Sequence, residues 1–291
     1  MSKLQLENVS YVYSPDTPFE KEALSDVTIE FAENRITGII GHTGSGKSTV
    51  AQLLNGLLHA TSGRVLLDGK DIFEKGSDIS EVRFRVGLVF QYPEYQLFEE
   101  TVWRDIAFGP SNMKLSPDEI DRRVRSAARF AGIDEELFEK SPFELSGGQK
   151  RRVAIAGIMA MEPDIIVLDE PAAGLDPKGR DEIFKGIKKW KDSHNSTVIL
   201  ISHSMEDMAL YADDIVVMKN GSVLTSGSVE EVFQRIDTIK ESGLDIPQIT
   251  EVTEELTRLG IIDGKGIYTV DKAYEKIIEA LEKGKQKCSK I

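Results

Sequence analysis

Apolar residues along this chain fall into two alternating patterns. Short, mainly apolar runs at Ile36 to Ile40, Ile165 to Leu168 and Val198 to Ile201 are separated by stretches where apolar positions return every three or four residues. Runs of that length suit strands covered on both faces, and their alternation with helical patterns predicts a parallel α/β sheet. Leu4 to Tyr13 and Ala23 to Phe31 read as further strands. Val65 to Ile72 reads as a hairpin turning at Asp68-Gly69, so a small antiparallel sheet is expected beside the main one. A mostly helical stretch is expected over 93–161. Within it Ser116-Pro117-Asp118-Glu119 combines an N-cap serine, a first-turn proline and a reciprocal glutamate. Ile120, Val124 and Ala127 follow at helical spacing, and Gly132 is the expected stop.

From Val229 the pattern becomes that of three amphipathic helices. Their apolar faces are Val229, Val232, Phe233 and Ile236; Ile249, Val252, Leu256 and Leu259; and Tyr274, Ile277, Ile278 and Leu281. Gly243 to Pro247 and Gly264 to Gly266 punctuate them. The expected organisation is therefore a main α/β domain over 1–228, with its helical subdomain at 93–161, and a C-terminal helical appendage over 229–291.

Length and composition agree with one large domain plus an appendage: 291 residues, 40% of them hydrophobic, can bury a proper core. No apolar run approaches the ~20 residues a membrane-spanning helix needs. The amino terminus, MSKLQLENVS, has neither the apolar run nor the cleavage site of a signal peptide, which predicts a cytosolic chain. The single cysteine, Cys288, leaves no internal disulfide and reads as a surface thiol. A formal charge of −13 repels the phosphate backbone that nucleic-acid binders must neutralise, so DNA and RNA are not expected as partners.

The strongest chemical signal is Gly41-His42-Thr43-Gly44-Ser45-Gly46-Lys47-Ser48, which follows an apolar strand and opens a helix at Thr49. Glycines let the backbone wrap closely around a phosphate, and a helix N-terminus adds N–H groups and the positive end of a dipole. In such loops the lysine reaches the β- and γ-phosphates and the following hydroxyl, here Ser48, serves Mg²⁺. A second signal, Ile165 to Glu170, is an apolar strand ending in two carboxylates. Asp169 at a strand's carboxyl end can hold Mg²⁺, and Glu170 can orient and deprotonate a water.

Between these motifs lies Leu145-Ser146-Gly147-Gly148-Gln149, a serine cap and two glycines opening a helix, and hence a second phosphate-binding N-terminus. With it the chain resembles the ATP-binding cassette proteins, whose motifs appear in the family's order over about residues 4 to 228. The resemblance implies a RecA-like phosphate-loop core with a small antiparallel β subdomain and a helical subdomain. It implies that Tyr13 stacks on adenine, although Tyr11 faces the same side of the strand and could substitute. Gln91 corresponds to the glutamine that touches Mg²⁺ and the lytic water. Asp176, in Ala173 to Asp176, corresponds to the loop that crosses to the partner subunit, and His203 to the histidine that contacts the γ-phosphate. In this family two cassettes pair head to tail, so Ser146, Gly147, Gly148, Gln149 and Asp176 contact ATP held by the other subunit.

Tyr92 to Pro110, together with Val12 to Glu20 and Ala173 to Arg180, is most similar to the energy-coupling factor ATPases, in particular the second of their two paralogues. That resemblance implies an ATP-hydrolysing subunit, with Mg²⁺, at the cytoplasmic side of the cell membrane. It would drive uptake of a vitamin or metal ion through a transmembrane coupling subunit and a substrate-binding membrane subunit. Glu94, Glu99, Glu100 and Asp105 are then either complementary charge for arginines of the coupling subunit or a solvated acidic face. The C-terminal helices either help hold the ATPase pair together or cap their own chain. A homodimer and a paralogous heterodimer are equally compatible. Another cassette importer or a non-transport cassette ATPase is the alternative; the latter would call for a coiled-coil insert or a second cassette. A phosphate-loop kinase would leave Leu145 to Gln149 unexplained.

Overall fold

The structure, a computed structural model, describes residues 2–241, 243–264 and 266–288. The side chain of Cys288, expected as a surface thiol, lies outside the described residues. β1 (Ser2–Tyr13) and β2 (Lys21–Ala32) pair antiparallel, with Leu4 opposite Phe31 and Tyr13 opposite Lys21. The chain crosses into a second sheet through β3 (Ile36–Gly41), descends α1 (Lys47–Leu54), and returns for the hairpin of β4 (Ser62–Leu67) and β5 (Lys70–Asp71). The first sheet has the order β2-β1-β4-β5 and turns at Asp68-Gly69 as the sequence indicates.

α2 (Ile79–Arg85) leads into β6 (Val86–Val89). The helical stretch follows as α3 (Val102–Asn112), α4 (Pro117–Ala131) and α5 (Gly147–Met159). β7 (Ile165–Asp169), α6 (Pro177–His194), β8 (Thr197–Ile201), α7 (Met205–Tyr211) and the hairpin β9 (Asp214–Lys219) and β10 (Ser222–Ser228) complete the second sheet. Its order is β10-β9-β3-β8-β7-β6, parallel from β9 to β6 with β10 antiparallel at the edge. Every residue of β3, β6, β7 and β8 is buried, as two-sided cover requires. β6, β9 and β10 add to the three strands that the apolar runs mark.

At α4 the expected cap is only half made. Ser116 Oγ accepts from Glu119 N, but the Glu119 carboxylate takes Arg122 at 2.6 and 2.7 Å and Arg123 at 2.8 Å instead of the cap's own N–H. Two guanidinium groups within a turn offer stronger, charge-assisted bonds than one amide.

The C-terminal segment departs further from the periodicity. Where one helix was expected after Ser228 there are two, α8 (Val229–Phe233) and α9 (Ile236–Glu241). Val229, Val232, Phe233, Ile239, Leu244 and Ile246 are buried in one cluster with Ile36, Ile166 and Leu200 of the main sheet. The break between α8 and α9 brings both Phe233 and Ile239 inward, and packing across residue 228 is continuous. In α10 (Gln248–Arg258) the buried positions are Thr250 and Thr253, while Val252 is 50% and Leu259 61% exposed. Thr253 can face inward because its hydroxyl bonds locally, whereas the buried Thr250 hydroxyl has no hydrogen-bond partner among the described residues. Thr253 Oγ1 donates to Thr250 O, and Thr257 Oγ1 donates to Thr253 O and accepts from Gly264 N. α11 (Val270–Cys288) closes the described chain and leaves Tyr274 and Leu281 exposed.

Candidate functional site

Strand order brings the motifs together. β3, β8, β7 and β6 are neighbours in the sheet and parallel, so the segments leaving their carboxyl ends share one edge. Loop 41–46 leaves β3, His203 follows β8, Asp169 and Glu170 end β7, and Gln91 follows β6. In register, Val89 pairs with Leu168 and Asp169 with Ile201, which aligns Gln91, Glu170 and Ser202 along that edge. Open α/β sheets bind ligands at this position.

Loop 41–46 owes its shape to its glycines at two points. Gly46 sits at φ +101, and an added Cβ would lie 2.5 Å from Leu24 Cδ2 and 2.8 Å from Ala23 O, so the loop closes onto β2. A Cβ on Gly41 would meet Met218 O and Ser45 Oγ at 2.5 Å. Ser45 is buried, its hydroxyl tucked beneath the loop without a hydrogen-bond partner among the described residues, whereas His42, Thr43 and Gly44 are exposed. The Lys47 ammonium donates to Gly41 O at 2.6 Å and His42 O at 2.9 Å, which holds it over the loop. Burial lowers its pKa, against the attraction of Glu170 and Asp169.

Thr49 is buried and its hydroxyl lies 3.1 Å from Tyr13 Oη, which places Tyr13 beside the first turn of α1. Tyr11 and Tyr13 do share one side of β1, edge to face with centroids 4.8 Å apart. Asp169 is buried; burial raises its pKa and the neighbouring Glu170 carboxylate adds to the rise, against the Ser48 hydroxyl and the Lys47 ammonium. A hydroxyl and a carboxylate are hard oxygen donors suited to Mg²⁺. Among the described residues no three His, Cys, Asp or Glu side chains converge to cage a metal, so a cation here would complete its shell from phosphate and water.

Glu170 adopts φ +51, a conformation that costs a non-glycine residue about 1–3 kcal/mol and persists only where surrounding contacts over-determine it. Its amide donates to Ile201 O at 2.9 Å. Its Oε1 lies 2.8 Å from His203 Nδ1, and the Glu170 side chain is 12% exposed against 76% for His203. An ionised carboxylate only accepts, so Nδ1 carries the proton in this pair. Gln91 is exposed at the edge.

The serine-capped N-terminus of α5 stands apart. Ser146 and Gln149 close a capping box: Ser146 Oγ accepts from Gln149 N, and Gln149 Oε1 accepts from Ser146 N at 3.0 Å. Gln149 thus supports its own helix. Ser146, Gly147 and Gly148 are exposed, with nothing within 4 Å of a Cβ built on either glycine. Asp176 caps α6 through Gly179 N at 2.8 Å and is also exposed. Of the four acids after Gln91, Asp105 is buried and accepts from Phe98 N and Glu99 N, so it supports its own loop. Glu94 and Glu99 are half-buried, and Glu100 pairs with Arg104. The Arg151 guanidinium also enters the loop after β7, although no spacing signal in the sequence separates it from Lys150 and Arg152.

The profile of the ABC transporter family matches residues 24–173. The Energy-coupling factor transporter ATP-binding protein EcfA2 of Clostridium acetobutylicum is 51% identical over 284 residues, covering 97% of this chain and 99% of its own. A relative of the same name from Clostridium tetani is 49% identical over 286 residues, covering 98% and 99%. Among solved structures, cbiO1 from Clostridium perfringens, part of the ABC transporter complex cbiONQ, has a TM-score of 0.72 at 41% identity, covering 87% of this chain and 99% of that one. The dimeric ATP-binding cassette MJ0796, in a post-hydrolysis state bound to ADP and Pi, has a TM-score of 0.70 at 28% identity, covering 78% and 98%.

Proposed function

This chain belongs to the ATP-binding cassette family and, within it, to the ATP-hydrolysing subunits of energy-coupling factor transporters, and on that premise we propose how its residues divide the work. The observation that carries the reading is the alignment of four motif segments on adjacent strand ends, with Glu170 and His203 in direct contact. ATP lies with its adenine on Tyr13 and its phosphates against Gly41, His42, Thr43, Gly44, Ser45, Gly46, Lys47, Ser48 and Thr49. Lys47 faces the β- and γ-phosphates. Ser48, Asp169 and Gln91 would hold Mg²⁺, which would neutralise charge developing on the transferred phosphoryl group.

Glu170 takes a proton from the attacking water, and its strained backbone fixes where the carboxylate points. His203 and Gln91 orient the γ-phosphate and the water. Ser146, Gly147, Gly148, Gln149 and Asp176 belong to the site of a second cassette, identical or paralogous, so that two composite sites form about a two-fold axis. ATP bridges the pair shut. Loss of phosphate removes the charge that held the helix N-terminus, and the pair reopens.

The chain works at the cytoplasmic face of the cell membrane, powering uptake of a vitamin or metal ion that separate membrane subunits select. Supporting this, no helix among the described residues is long and apolar enough to cross a bilayer. An apolar cleft of about 330 Å³ also opens between the core and the helical subdomain, rimmed by Phe98 and Phe108, which are 58% and 45% exposed. Exposed aromatics around a cleft mark a docking surface, here for the transmembrane coupling subunit. The assignment of the base is tested by Glu170→Gln. It should keep ATP binding and lower turnover by a factor of roughly 10² to 10⁴. Hydrolysis at the parental rate would remove Glu170 from the reaction.

A further inference from the structure

We propose that Arg151 is a positioning residue: from the helix whose N-terminus serves the partner's ATP, it holds the backbone of this chain's own base, and so links the two composite sites through one side chain. The inference rests on the role proposed for Glu170 and adds a residue to it. Arg151 lies on α5, which Ser146 caps, and is only 5% exposed. Its Nη1 donates to Ala173 O at 2.6 Å, and its Nη2 donates to Glu170 O at 3.0 Å and Pro171 O at 2.5 Å. A buried guanidinium ordinarily takes a carboxylate, because desolvating a cation is costly unless it is paired. Here three carbonyls of one short loop take that place.

The neighbouring cations point elsewhere: Lys150 lies over the Phe143 ring, and Arg152 reaches Glu182 and Gly132 O. The left-handed turn at Glu170 is therefore gripped from two sides, its N–H by Ile201 O of β8 and its C=O by Arg151. A strained residue keeps its conformation only while such anchors remain. Removing one anchor lets the Glu170 carboxylate swing.

A third element acts on the same side chain through its charge. Glu94, three residues beyond Gln91 in the segment that faces the membrane subunits, supplies the largest favourable charge acting on the guanidinium. Its Oε2 and the Arg151 Nε are both buried without a hydrogen-bond partner among the described residues. A shift of α5 on engaging the partner's nucleotide, or of the 92–98 segment on engaging the membrane, is thereby felt at the base.

The experiment uses the full chain assembled with its partner cassette. Arg151→Met keeps the length and apolar stem and removes every donor. Turnover should fall about 100-fold, the scale of an ångström-level misplacement, with KM for ATP within about threefold. Amide exchange over 170–176 should accelerate at least about tenfold while 197–201 stays protected. In a Glu170→Gln background the same change should add less than about twofold, since a residue that acts through the base has nothing left to act on. Arg151→Lys, with charge but no fork, should recover only part of the rate. Parental turnover and unchanged exchange in Arg151→Met would overturn the proposal, as would a loss that multiplies undiminished in the Glu170→Gln background. If Glu170→Gln alone turns over at the parental rate, the base assignment fails, and the exchange measurement still decides whether Arg151 holds the loop. Should Arg151→Met not fold, Arg151→Gln enters the same cycle.

Discussion

Replacing Phe233 by alanine tests whether the segment after residue 228 belongs to the ATPase core. Phe233 is fully buried, lies in the cluster that contains the main-sheet residues Ile36 and Leu200, and stacks on Tyr268 with centroids 5.3 Å apart. Truncating such a ring costs about 3–5 kcal/mol through lost transfer energy and the cavity left behind. For a chain of this size each kcal/mol lowers Tm by about 2–4 °C, so the midpoint should fall by roughly 6–20 °C. The same segment touches the nucleotide loop: a Cβ on Gly243 would lie 2.8 Å from His42 Nε2. Phe233→Ala should therefore melt in a single transition, and ATP, which stabilises the folded state by mass action, should raise that one midpoint. Differential scanning calorimetry with and without nucleotide is the assay, and Val252→Ala, on the exposed face of α10, is the control, with a change within about 0.5 kcal/mol. A minor transition that moves while the main one stays put would refute the reasoning, because the segment would then be a separate unit.

Gly46→Ala sets a side chain at φ +101 against Leu24 and Ala23 O, combining backbone strain of about 1–3 kcal/mol with overpacking of similar size. Equilibrium binding should show ATP affinity at least about 30-fold weaker. Gly44→Ala, with nothing within 4 Å of its Cβ, should lose less; equal losses would mean that contact with β2 does not shape the loop. The Glu119 carboxyl, bonded to Arg122 and Arg123, titrates at about 2, below its ordinary 4.5. A depressed carboxylate contributes stability that is present above pH 4.5 and is lost as pH falls through about 2, so Glu119→Gln should flatten the acid limb between those values. An NMR titration of the Glu119 side chain with an ordinary midpoint would contradict this. Reversing Glu99 and Glu100 to lysine should release the chain from its membrane subunits while ATP binding persists, read by co-purification in mild detergent. Recovery of the intact complex would remove these acids from the docking surface.

The parallel core was legible because buried strands are written as apolar runs whatever surrounds them. β9, β10 and the edge strand β6 were harder to read: their apolar stretches, Ile215 to Met218 and Val86 to Val89, are short and lack distinctive flanks. The phosphate loop, the two acids of β7 and the capped signature helix could be placed because each carries a local backbone requirement visible in the residue types. Long-range partners were not legible. Asp105 reads as a surface acid, yet it is buried under the amides of Phe98 and Glu99, and the choice was made by tertiary packing. The same holds for α10, where a 3.6-residue period counts Val252 and Leu259 as inward and cannot know that Thr253 and Thr257 satisfy their hydroxyls on neighbouring carbonyls. Arg151 escaped for a related reason, since its three acceptors are carbonyls about 20 residues downstream in sequence.

The central claim is that one protomer's glycine loop and its mate's serine-capped helix clamp the same ATP. Sedimentation of the full chain with its partner cassette, in Mg²⁺ across a range of ATP concentrations and with Ser146→Arg in one protomer, tests it most directly. The account predicts that nucleotide drives the Glu170→Gln pair together, and that Ser146→Arg, which removes one of the two composite sites, weakens this association while each chain still binds ATP. An association indifferent to ATP, or one that survives Ser146→Arg unchanged, would contradict it.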